Sequence, residues 1–127
     1  MVQFADMRRS FHLQLLPIQI QPRQVLNVEI VQHSYGEQAI YQQNIMSLGT
    51  DVQMPEICDA QDVTIAVLEG NGNLIVNDEL VALEPGIFVF IPANTCHTLQ
   101  TQSQLIFLLS RCSPGLAIDE SSWVINL

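Results

Sequence analysis

The chain predicts an all-β fold, a sandwich or barrel of short antiparallel strands in one domain spanning residues 1–127. Short runs rich in Val, Ile, Leu and Phe recur from Val25 onward, as strands prefer. Gly, Pro, Asn and Asp punctuate those runs, and no long segment carries a clear helical period.

In chain order, residues 1–24 read as an N-terminal arm. Within it, Phe4–Leu16 has room for one short helix, because Asp6-Met7-Arg8-Arg9 holds no breaker. Leu13–Ile20 is interrupted by Pro17 and suits an edge strand or an extended arm. Strands are then predicted over Val25–Val31, Ile40–Leu48, Thr64–Leu68, Leu74–Val76, Leu80–Leu83, Ile87–Ile91 and Leu105–Leu109. The turns between them are Ser34-Tyr35-Gly36, Gly70-Asn71-Gly72, Asn77-Asp78 and Glu84-Pro85-Gly86, where Gly, Asn and Asp supply positive φ. The tail 113–127 opens on Pro114-Gly115 and ends on Trp123-Val124-Ile125-Asn126-Leu127. Such apolar tails pack on something, here the barrel exterior or a second subunit.

Composition excludes several function classes. Apolar residues make up 48% and charged residues 13%, which is not the balance of a disordered chain. The net charge of −9, with four arginines and no lysine, argues against binding nucleic acid or anionic membrane surfaces. Without lysine there is no Schiff-base chemistry from this chain. No apolar run has the length of a membrane span, and the N-terminus lacks the order of a secretory signal, so the chain reads as cytoplasmic. Cys58, Cys96 and Cys112 are odd in number and lack zinc-knuckle spacing. They read as thiols rather than a disulfide framework, with Cys112 a buried small hydrophobe ending an apolar run.

The segment Gly86-Ile87-Phe88-Val89-Phe90-Ile91-Pro92-Ala93-Asn94-Thr95-Cys96-His97 is the most informative stretch. A glycine opens an apolar strand, a proline closes it, and a histidine follows. A second strand, Val63–Gly70, also ends in glycine, and the short hairpin Asn71–Pro85 separates the two. Together these resemble the two motifs of the cupin family over about residues 46–109. Gly86, Pro92 and His97 fall on second-motif positions. Asn94 stands for the loop glycine and also accepts left-handed backbone, while Thr101 replaces a final asparagine. The resemblance implies a double-stranded β-helix, or jelly-roll barrel, with a ligand site inside.

Cupins commonly hold a transition metal with three histidines and a glutamate, and the first motif supplies three of the four. Here its glutamate position, counted back from Gly70, is Val63. The histidine pair, counted forward from Gly49, falls on Pro55 and Ile57. A shift of one residue places it instead on Glu56 and Cys58, with Pro55 as a preceding proline. In the first register His97 alone remains, and no metal cofactor is expected. In the shifted register Glu56, Cys58 and His97 form an O,S,N set for zinc, iron or manganese, or give Cys58 a base in His97. Cys96 and His97, adjacent on a strand, point to opposite faces and make no such pair. Asp59 and Asp62 are weaker candidates, expected to face water. His12 and His33 lie outside the motif strands and take surface or hydrogen-bonding roles.

The favoured reading is non-catalytic binding of a small molecule in a barrel without the usual metal, lined by His97, Cys58 and Glu56. The alternative is a metal-dependent enzyme, dioxygenase- or isomerase-like, on Glu56, Cys58 and His97. Against the isomerase, the arginines lie mostly away from the motifs, where a sugar phosphate would want cations. A third reading is a structural or assembly role. The resemblance also implies a homodimer, formed by outer sheet faces and the apolar arm and tail.

Overall fold

The computed structural model describes residues 20–113 and 124–126. Among these are eight strands: β1 (Val25–Tyr35), β2 (Gln38–Leu48), β3 (Ile57–Cys58), β4 (Asp62–Val76), β5 (Glu79–Leu83), β6 (Ile87–Ile91), β7 (Cys96–Cys112) and β8 (Val124–Asn126). Every pairing is antiparallel. The short helix expected at Phe4–Leu16 and nearly all of the arm lie outside the described residues. So does most of the tail, of which Val124–Asn126 pairs with β6.

Two long strands organise the molecule. The first half of β4 pairs with β6 and with the second half of β7, in register Val63↔Arg111 and Ile65↔Leu109. Its second half pairs with β5 and with the first half of β7, in register Leu74↔Leu99 and Val76↔His97. Strands β2 and β1 extend the first sheet, and β3 flanks the second. The same two strands thus serve both layers of a double-stranded β-helix.

This corrects the turn expected at Gly70-Asn71-Gly72. The chain does not reverse there. It bends inside β4, with register shifts between Val67 and Glu69 and between Gly70 and Gly72. Gly70 takes φ +87° and lies against the Gln104 carbonyl of β7, leaving no room for a Cβ. Bulges with glycine are how a strand passes from one sheet to another.

The turn expected at Ser34-Tyr35-Gly36 falls later, at Gly36-Glu37, because Ser34 and Tyr35 pair with β2; the remaining two form where they were expected. Asn77-Asp78 joins β4 to β5 with φ of 50° and 62°, the double positive φ that a tight two-residue hairpin demands. Glu84-Pro85-Gly86 closes through Ile87 N–H donating to the Glu84 carbonyl at 3.1 Å, with Gly86 at φ 93°. Proline before a positive-φ glycine is the type II arrangement. Asn94 sits at φ 65°, taking the left-handed conformation of the loop glycine it replaces.

Period-two alternation builds the core. On β4, Val63, Ile65 and Val67 are buried while their neighbours are half-exposed; on β6, Ile87, Val89 and Ile91 face in. Leu48, Leu74, Leu83 and Leu105 fill the centre with at most 1% of their surface exposed. The loop between β2 and β3 is held by a buried hydroxyl. Thr101 Oγ1 donates to the Gly49 carbonyl at 2.7 Å and accepts from Val52 N–H at 3.0 Å.

Candidate functional site

β7 supplies the largest share of the site. Its alternation turns His97 and Leu99 inward in the first half, and Phe107, Leu109 and Arg111 into the same cavity in the second. β4 adds Val63 and Ile65, β2 adds Met46, and the β3 region adds Met54, Pro55, Ile57 and Asp59. The cavity is small, about 60 Å³. Its walls are mostly aliphatic, aromatic and thioether groups, with three ionisable side chains among them: His97, Asp59 and Arg111.

Arg111 Nε donates to Asp59 Oδ2 at 2.7 Å, and both side chains are largely buried. Asp59 Oδ1 accepts from Gln61 N–H at 2.9 Å, and the Asp59 carbonyl accepts from Asn94 N–H at 2.7 Å. Asp62 Oδ1 accepts from Ala93 N–H at 2.8 Å. Neither acid is therefore simply a solvated carboxylate, as had been expected of both. Nor is Arg111 away from the motifs: it crosses from β7 to hold the segment that follows β3. The signal was present in the alternation Phe107, Leu109, Arg111, which puts the arginine on the core face.

His97 is 8% exposed, and its Nδ1 has no hydrogen-bond partner among the described residues. Burial pushes the imidazole below its ordinary value of about 6.5, and the Arg111 charge adds to this. A backbone hydrogen bond with Thr95 and the Asp59 carboxylate oppose it. The bond to Thr95 favours the charged ring, so the ring donates it.

Because the folded ring holds its proton less tightly than the unfolded one, the unfolded state binds more protons in the window below about pH 6.5. Stability is therefore full above that window and falls as pH drops through it. Urea unfolding across a pH series should show this acid loss, and His97→Gln should flatten it. Equal slopes for wild type and variant would show that His97 carries none of it.

The pairing Ile57↔His97 and Cys58↔Cys96 places the sequence candidates. Pro55, Ile57, Val63 and His97 all line the cavity, whereas Glu56 and Cys58 do not. The O,S,N set of Glu56, Cys58 and His97 is not brought together, because Glu56 and Cys58 are exposed while His97 is buried on the inward face. Cys58 is joined to Cys96 in a disulfide, so it is neither a free thiolate beside His97 nor a reduced thiol. Cys112 is exposed rather than buried, since it falls on the outward phase with Leu108 and Ser110.

The residues facing the cavity do not fit the four-ligand metal set. Proline and two aliphatic side chains offer no donor, and the aliphatic walls would strip a cation of water without replacing it.

A closed pair of antiparallel sheets sharing two bent strands, with an inward histidine after a Gly–Pro strand, defines a double-stranded β-helix of the jelly-roll kind. A family model described as a cupin domain matches residues 47–110, and the chain belongs to the cupin family. No curated protein matches the chain. Among solved structures, it is similar to a cupin superfamily protein from Desulfitobacterium hafniense, with 18% identity, 75% of this chain and 83% of that one covered, and a TM-score of 0.67. A conserved protein of unknown function from Streptococcus pyogenes gives 19% identity, 76% and 80% coverage, and a TM-score of 0.66. An RmlC-like cupin with a double-stranded β-helix fold from Methanocaldococcus jannaschii gives 19%, 72% and 82%, and 0.62. These likenesses concern the fold.

Proposed function

We propose that the barrel is a metal-free binding site for a small, largely apolar molecule carrying one hydrogen-bonding polar group. The unpartnered Nδ1 of buried His97 is the observation that carries this reading. A buried polar atom left unpaired costs about 1–3 kcal/mol, and a ligand hydrogen bond would recover it. The apolar walls supply the rest of the affinity, and Arg111 and Asp59 stand beside His97 to orient a polar end. A cavity of about 60 Å³ limits the inner portion of the ligand to a few heavy atoms.

The test adds phenol, benzyl alcohol and propanamide separately while the His97 ring nitrogens are followed by NMR. A saturable shift of His97 Nδ1, with the ring nitrogens of the other histidines unmoved, is expected for at least one probe, together with loss of its binding in His97→Ala. No shift with any probe, or stoichiometric metal that disappears in His97→Ala, would overturn the reading. A metal-dependent enzyme built on Glu56, Cys58 and His97 has lost its geometric support.

A second reading, assembly, is favoured by the narrowness of the cavity and by apolar surface outside it. Val28 is 60% exposed on β1 and Leu80 63% on β5. Tyr41, Leu108, Phe88 and Phe90 line a groove of about 400 Å³ on the outer face of the larger sheet. Among the described residues β1 pairs on one side only. A homodimer through these faces accounts for both features. Sedimentation at micromolar concentration should give the dimer mass; a monomer would remove this reading. No helix among the described residues is long and apolar enough to cross a membrane. A cytoplasmic setting stays part of the proposal.

A further inference from the structure

We propose that Glu56, Cys58 and Cys96 form a redox-gated zinc site on the outer rim of the barrel. It is shut when the two cysteines are joined and open when they are reduced. The site is separate from the cavity, faces away from it, and does not depend on the ligand reading.

The geometry comes from strand pairing. Cys58 and Cys96 are directly opposite on β3 and β7, with Cα atoms 4.0 Å apart. Glu56 lies two residues before Cys58, on the same side of the extended segment. The three ligand atoms lie within 4.8 Å of one another. Tetrahedral zinc, with Zn–S near 2.3 Å and Zn–O near 2.1 Å, needs sulfurs about 3.8 Å apart and a carboxylate oxygen about 3.6 Å from each. Small side-chain rotations meet those distances once the sulfurs part. Two thiolates and a carboxylate fill three positions and leave the fourth to water. Thiolate donors suit zinc over the hard cations.

Two further observations make the state change feasible. Cys58 is exposed and Cys96 half-buried, so a thiol or phosphine reaches the bond from solvent. The segment carrying Cys58 is also pinned on both sides by bonds that involve no cysteine. Met54 N–H donates to the Leu99 carbonyl at 2.9 Å, and Asn94 N–H to the Asp59 carbonyl at 2.7 Å. The Arg111–Asp59 pair completes the anchor. Reduction therefore leaves the two thiols facing each other rather than releasing β3.

The steps balance. A dithiol reductant R(SH)2 attacks the Cys58–Cys96 bond, leaves as its own cyclic disulfide, and gives two electrons and two protons to Cys58 and Cys96. Zn2+ then displaces those two protons and binds both thiolates with the Glu56 carboxylate. Re-oxidation by a disulfide of the same class removes two electrons from the thiolates, reforms the Cys58–Cys96 bond and expels Zn2+. In a reducing compartment the zinc form is expected, and in an oxidising one the disulfide.

The experiment uses the full chain, oxidised or reduced with a water-soluble phosphine that becomes its oxide and is then removed. Each form is titrated with Co2+ and then Zn2+. The reduced protein should bind one equivalent of Co2+, with a thiolate-to-cobalt charge-transfer band that Zn2+ abolishes, and the oxidised protein none. Cys112→Ser should leave the band unchanged. Glu56→Gln should weaken binding by at least the roughly 10-fold seen for lost supporting contacts at metal sites. Binding by the oxidised form, no band in the reduced form, a full band in Cys96→Ser, or dependence on Cys112 would each overturn the proposal. Loss of the β-sheet circular dichroism on reduction alone would do so as well, because β3–β7 pairing builds the site.

Discussion

Gly70→Ala is expected to cost about 3 kcal/mol or more of folding stability, the sum of a conformational and a steric penalty. The residue sits at φ +87° where β4 bends between sheets. A left-handed backbone costs a side-chain-bearing residue roughly 1–2 kcal/mol. An added Cβ would also meet the Gln104 carbonyl and the Leu105 Cα, both backbone atoms of the long strand β7. Neither can swing aside, so the pairing of β4 with β7 must open, and that pairing joins the two sheets. Gly86→Ala is the control. Its φ is 93°, but a Cβ there meets nothing within 4 Å, so it should lose only the conformational part, about 1–2 kcal/mol. Urea unfolding of both variants measures the difference. If Gly70→Ala were no worse than Gly86→Ala, close approach of β7 would not be what holds the bend.

The second large effect is a gain. The triple variant Pro55→His, Ile57→His, Val63→Glu is expected to bind one equivalent of zinc or nickel inside the barrel, where His97 is the one ligand the parent keeps among these four positions. The argument is positional. All four residues line one cavity, and Ile57 is directly opposite His97. Imidazole and carboxylate donors around an open position suit these cations. Without metal the variant should be several kcal/mol less stable than the parent, because Val63 is 1% exposed and a glutamate there is an unpaired buried acid. Metal should restore much of that loss, since a ligand that binds the folded state alone stabilises it. Isothermal titration and thermal unfolding with and without metal test both halves. A folded variant that binds nothing would show that these four positions do not converge as the cavity implies.

Much of the fold was legible along the chain. Runs rich in Val, Ile, Leu and Phe marked β2, β6 and the two halves of β4, and in β4 and β6 one buried face imposes a period of two whatever the partner strand. The turns at Asn77-Asp78 and Pro85-Gly86 were legible because their backbone geometry depends on a few adjacent residues. The motif from Gly86 to His97 placed the inward histidine. β3 was missed, since two residues paired only through β7 leave no pattern. The continuity of β4 through Gly70–Gly72 was missed too, because the same glycines serve a reversal or a bend, and the choice belongs to the strand alongside.

The local sequence therefore determined which residues face inward and where the chain can turn, since both follow from near-neighbour sterics and burial. Tertiary structure alone decided which distant residues meet. Register between β3 and β7 set Ile57 against His97 and Cys58 against Cys96, and a slip of one residue would have put Ile57 against Cys96 or Cys58 against His97. The same pairing separated the histidine of the cavity from the cysteines of the rim. It also brought Arg111 to Asp59 across 52 residues of sequence. Such contacts depend on the relative placement of whole strands, and no single segment encodes it.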